Sequence, residues 1–143
     1  MKSYKLFTIV ILFISTSCSV NRANDYEPTL IKLKETMQKN LDSGIGMLKT
    51  DRQFMLDTDS IVTLVYTDVL NQSDDKKLLE REQERWLRKR KKISDSLWHE
   101  VDKVFDETGI NPELEREIAY GTIGELNYER AIELNGMINK KNN

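Results

Sequence analysis

The sequence predicts an all-α protein, a small bundle of three to four helices built around one long central helix. The first observation behind this is the stretch from Asp74 to Phe105, which no Gly or Pro interrupts. Within it Leu79, Gln83, Trp86, Arg90, Ser94 and Leu97 recur at intervals of four, three, four, four and three, along one stripe of a continuous helix. Such a helix is roughly 45 Å long and has no core of its own, so other segments must fold back against it. The second observation is composition: 38% hydrophobic and 32% charged residues with two prolines, which suits long amphipathic helices around a slender core. The third is that strand-like alternation is scarce. Ile61 to Val65 is the one β-branched cluster, and it lies inside a longer helical period. A chain of 143 residues is most simply one domain.

Residues 1–17 read as an export signal. Lys2 and Lys5 form the charged start, the nine residues Leu6 to Ile14 form the apolar run, and Ser15, Thr16, Ser17 and Cys18 follow. The run is too short for a spanning helix, which needs about 20 residues, and fits a signal-peptide core. A small residue directly before a cysteine resembles a bacterial lipoprotein processing site, in which Cys18 is lipidated and anchors the mature protein. Ser15 stands where such sites usually carry Leu. Acyl chains on Cys18 contribute about 0.8 kcal/mol per buried methylene. The other reading is an ordinary secretory signal, which leaves Cys18 incidental and the protein secreted.

The expected organisation continues with a polar tether over 18–27, a helical domain over 28–139 and a frayed tail at 140–143. Pro28 suits the first turn of a helix, and Leu30, Leu33, Met37 and Leu41 mark its apolar stripe. Asp42-Ser43-Gly44-Ile45-Gly46 breaks it. A second helix runs from Met47 or Asp51 to about Leu70, with Met55, Val62, Val65, Tyr66 and Val69 facing inward. Asn71-Gln72-Ser73 turns the chain, and Asp74 or Asp75 caps the long helix. Thr108-Gly109-Ile110 closes that helix, and Asn111-Pro112-Glu113 opens the last one as cap, first-turn Pro and N-terminal acid. Its inward candidates are Leu114, Ile118, Leu126, Ile132 and Leu134, with Gly121 and Gly124 as kinks or close-contact points.

Charge narrows the function. Without Lys2 and Lys5 the chain holds 20 basic and 24 acidic residues, a net charge of −4, which argues against a nucleic-acid partner. The basic run Arg85, Arg88, Lys89, Arg90, Lys91 and Lys92 is preceded by Glu80, Glu82 and Glu84 and followed by Asp95, Glu100 and Asp102. It reads as a solvated face laced with pairs such as Glu84–Arg88. Cys18 is the one cysteine and His99 the one histidine, so no structural zinc or other metal site is expected. No cofactor is expected either. There is no phosphate loop and no nucleophile elbow, and a glycan hydrolase needs two carboxylates facing across a cleft. The expectation is not an enzyme.

Trp86 suits a core anchor in so polar a bundle. Arg90 on the same stripe needs acceptors, and Asp59 of the preceding helix is a candidate. The cluster either fixes helix register or turns part of itself toward a partner, where Trp and Arg are over-represented.

The spacing Leu79-x-x-x-Gln83-x-x-Trp86-x-x-x-Arg90 resembles the signature of the LprI-type lysozyme-inhibitor domain, a family of small exported helical bacterial proteins, often lipoproteins. Asp59, Val62 and Tyr66 sit where the family has an acidic residue, a Leu and a Tyr. Leu126-Asn127, Arg130 and Leu134 resemble its C-terminal pattern, with Asn127 in place of Thr. The family usually carries a cysteine four residues after the Arg; here that residue is Ser94, so helix packing replaces disulfide bracing. The resemblance covers about residues 57–134. It implies an envelope protein that binds a c-type lysozyme rather than performing catalysis. It assigns Asp59, Tyr66, Leu79, Gln83, Trp86, Arg90, Arg130 and Leu134 to the family motif. The alternative is a structural or accessory envelope lipoprotein without lysozyme affinity.

Overall fold

Three glycines with positive φ and one aspartate cap divide the chain into its helices. The computed structural model describes residues 25–44 and 46–142. They form α1 (Glu27–Asp42), α2 (Met47–Gln72), α3 (Lys76–Thr108) and α4 (Glu113–Asn142). No strand occurs among the described residues. The expected signal segment, Cys18 and the tether up to residue 24 lie outside them.

Each break has a local cause. Gly44 and Gly46 adopt φ of +65° and +67° between α1 and α2, a region that a Cβ disfavours. Asp75 caps α3, its Oδ1 accepting from the Leu78 N–H at 3.0 Å. Gly109, at φ +65°, ends α3 with its N–H donating to the Phe105 carbonyl. The expected side-chain cap on α4 has another role, because Asn111 Oδ1 accepts from the Arg116 guanidinium at 3.2 Å. The described residues begin at Asp25, inside the segment expected to be a tether. Tyr26 donates its N–H to Asn135 Oδ1 (3.1 Å) and its phenol O–H to Asp68 Oδ2 (2.6 Å). Those bonds fasten the start of α1 to α2 and α4. At the other end α4 continues through Asn142, past the expected fraying point.

The main core gathers Leu30 of α1, Ile61, Val62, Val65 and Val69 of α2, Leu79 of α3, and Ala131, Leu134 and Ile138 of α4. Full burial of one such aliphatic side chain contributes about 1.5–3 kcal/mol. Packing is heaviest between α2 and α4, and each of these touches all three other helices. Close approach explains why. Ala119 and Ala131 are fully buried, and a Cβ on Gly124 would stand 2.7 Å from Phe54 Cδ1 and 3.3 Å from the Met55 Cα. Gly124 is thus a close-contact point, as its position in the sequence led one to expect.

The long helix exists as α3, 33 residues, yet it flanks the α2–α4 pair rather than passing between them. Its buried residues are Leu79, Gln83 and Val101, a stripe too narrow to satisfy neighbours on several sides. The inward face of α4 also differs from expectation. Leu134 is buried and Leu126 half-buried, but Leu114, Ile118 and Ile132 are 63%, 50% and 47% exposed. Ile123, Asn127, Arg130, Asn135 and Ile138 take the buried places instead.

Candidate functional site

The α3 stripe meets α2 and α4 in a polar cluster built on two arginines. Arg90 points from α3 toward the α2–α4 seam. Its Nη2 donates to Asp59 Oδ1 at 2.7 Å and its Nε to Asn127 Oδ1 at 2.6 Å. The guanidinium lies 5.9 Å from the centre of the Trp86 ring one turn earlier, within cation–π range. Asn127 is fully buried, and its Nδ2 reaches the Met55 carbonyl at 3.5 Å. One α3 side chain therefore ties to both members of the tightest helix pair. Asp59, proposed from the sequence as an acceptor, is one of the two.

Arg130 forms the second half from α4. Its side chain is 4% exposed. Nε donates to Gln83 Oε1 at 3.0 Å and Nη1 to Glu133 Oε2 at 2.7 Å. Among the described residues its buried Nη2 has no hydrogen-bond partner, a cost of about 1–3 kcal/mol that the other bonds offset. Tyr66 packs half-buried against the core. Burial and then the Glu80 carboxylate push its phenol above the ordinary value, against a smaller lowering by Arg130. Leu79 and Leu134, the apolar ends of the motif, are both core residues. The eight family-motif positions thus lie together on the packed α2–α3–α4 seam.

Chemically this cluster orients helices. Both guanidiniums are engaged with acceptors of the same chain. Asp59 and Glu133 remain more than half exposed, at 56% and 57%. Solvent therefore screens both ion pairs, and the positional information lies in the Gln83 and Asn127 amides. The rest of the basic run is a solvated face: Arg88 pairs with Glu84 at 3.6 Å and Lys91 with Asp95 at 2.7 Å. His99 is exposed. No group of His, Cys, Asp or Glu among the described residues is arranged to hold a metal ion.

A second polar location escaped the sequence reading. Asp51, in the first turns of α2, is 7% exposed, and no hydrogen bond or ion pair reaches its carboxylate among the described residues. It stands under Gly121 of α4, where an added Cβ would lie 3.6 Å from the Asp51 Cγ and Oδ1. Burial first, then Glu117 and Glu125, push its carboxyl above the ordinary value. The available signal was the Glu117, Gly121, Glu125 and Glu129 stripe at helical spacing; nothing local revealed that Asp51 sits beneath it.

No family model matches the chain, and neither the curated proteins nor the solved structures contain a significant match to it. No helix among the described residues is long and apolar enough to cross a membrane.

Proposed function

We propose that this chain is an exported envelope protein of the LprI-like type, anchored through lipidated Cys18, that acts by binding a basic protein, a c-type lysozyme, and not by catalysis. The observation that supports the reading is convergence. Asp59, Tyr66, Leu79, Gln83, Trp86, Arg90, Arg130 and Leu134, spread over three helices, meet in one seam with direct Arg90–Asp59 and Arg130–Gln83 bonds. A chance match to a spaced motif carries no requirement that its members touch. The cluster is the architecture that holds the helices; the contact face is elsewhere on them. The net −4 charge steers a cationic enzyme toward the acidic surface.

The test mixes the body beginning at Ser19 with c-type lysozyme in a cell-wall clearing assay at physiological salt. Stoichiometric inhibition that survives added salt is expected, because charge attraction alone is screened over about 8–10 Å. Folded protein that leaves clearing unchanged removes the lysozyme reading. The alternative, a structural or accessory envelope lipoprotein, then stands, favoured by the internal satisfaction of the Arg90 cluster. The anchor is checked separately: Cys18→Ser releases the protein from the membrane pellet.

A further inference from the structure

We propose that the groove between α2 and α4, floored by Asp51, receives a basic side chain of a protein partner, with the exposed Leu114 and Ile118 as its apolar rim. The proposal rests on the reading that this chain binds a cationic protein, and it names the surface that does so.

Four carboxylates surround the groove: Asp51 at its floor and Glu117, Glu125 and Glu129 along α4. Among the described residues no basic side chain lines it. Lys34 of α1 pairs with Glu125 and is itself held near the Phe54 and Tyr128 rings, 5.4 and 5.5 Å from their centres. Asp51 gains no such neighbour. Asp51 keeps only 7% of its surface exposed, and a carboxylate partly withdrawn from water with no donor among the described residues is costly to keep ionised; two like charges beside it add to that cost. A guanidinium or ammonium entering the groove supplies the missing donors and neutralises the repulsion together. The groove is wide open to solvent, with about 530 Å³ of space over its floor, so an arginine or lysine side chain can lie along it. These carboxylates are not gathered closely enough to ligate a metal ion, whereas a longer organic cation reaches Asp51 from the open side.

The surroundings specify a protein as the carrier of that cation. Ile118 lines the groove, and Leu114 lies one turn before it on the same face of α4. Ile110, 69% exposed, lies beside Leu114 at the α3–α4 turn. An apolar patch beside an acidic groove has the composition of a protein interface, where an arginine anchor is surrounded by contacts that exclude water. A free polyamine has no use for the rim.

Gly121 offers a variant that does not endanger the fold. Alanine there makes an ordinary van der Waals contact with Asp51, at 3.6 Å, and favours the helix, while its methyl covers the carboxylate. Asp51→Asn keeps the shape and removes the charge. The full chain, purified in a neutral detergent, is titrated with N-acetyl-arginine methylamide, with the citrulline counterpart as neutral control and spermidine as free polyamine. Amide NMR shifts at Glu117, Gly121 and Thr122 are followed. A saturable response to the arginine probe is expected, about tenfold weaker in Asp51→Asn and in Gly121→Ala, with none from citrulline. Asp51→Asn is also expected to raise the unfolding midpoint of the free protein. An unchanged response in both variants, a citrulline response equal to arginine's, tighter binding of spermidine, or a lowered Asp51→Asn midpoint overturns the proposal. Lysozyme inhibition is measured on the same three proteins. Inhibition undiminished in both variants overturns the groove and leaves the lysozyme reading intact. Arginine binding without lysozyme inhibition leaves the groove and removes lysozyme as its occupant.

Discussion

Two regions of α4 treat buried charge in opposite ways. On the α3 side, Arg130 and Arg90 each meet a side-chain amide and a carboxylate, and the charge is absorbed into helix packing. Some turns earlier along α4, Asp51 of α2 is as covered overall as Gln83, at 7% and 8% exposure, yet among the described residues no donor reaches its carboxylate, which opens to the groove. The contrast separates an internal joint from a surface held in readiness. A polar group whose acceptors lie in its own chain contributes to stability. One that lacks a partner lowers the stability of the free protein and gains from a ligand that supplies it.

Arginine variants test the first half of this comparison. Arg130→Ala is expected to have the largest effect, a loss of about 3–5 kcal/mol in denaturant unfolding, because it strands Gln83 and leaves a cavity. Arg130→Met is expected to lose less, since it fills the volume. Equal losses would mean that the hydrogen bonds, not the packing, dominate. Arg90→Ala is expected to cost less again, about 1–3 kcal/mol, because its side chain is 24% exposed and Asp59 is more so. An unchanged midpoint would demote the Arg90 contacts to surface pairs.

Asp51→Asn tests the second half, with the opposite sign and the smallest magnitude. A carboxyl whose folded pKa lies above its ordinary 3.8 costs stability while it is ionised. That cost is complete above the folded value and fades as pH falls toward the unfolded one. The advantage of Asp51→Asn over the native protein should therefore be widest near neutrality and narrow toward about pH 4. Unfolding curves at the two pH values check it; an advantage that widens on acidification reverses the assignment. Asp25 serves as an internal contrast. The Glu27 N–H and then the Asn135 amide hold its carboxyl below the ordinary value, so its contribution is present above 3.8 and is lost as pH falls through the folded value.

Helix identity, helix breaks and the α3 stripe were determined by the sequence alone. These depend on local causes: Gly44, Gly46 and Gly109 where φ is positive, Asp75 as a cap, and apolar residues at intervals of three and four. The Arg90–Asp59 pairing was legible too, since a guanidinium on an inward stripe requires a nearby carboxylate. Tertiary structure decided which helices make the centre and which face of α4 is covered. Hydrophobicity marks Leu114, Ile118 and Ile132 as suited to burial, but a neighbouring helix must be present to bury them. α4 meets α2 through Ala119, Ile123, Gly124 and Asn127 instead, because small side chains allow the helix axes to approach closely. Asp51 was beyond local reading for the same reason. Its isolation from donors depends on Gly121, seventy residues away in the chain, and only packing brings the two together.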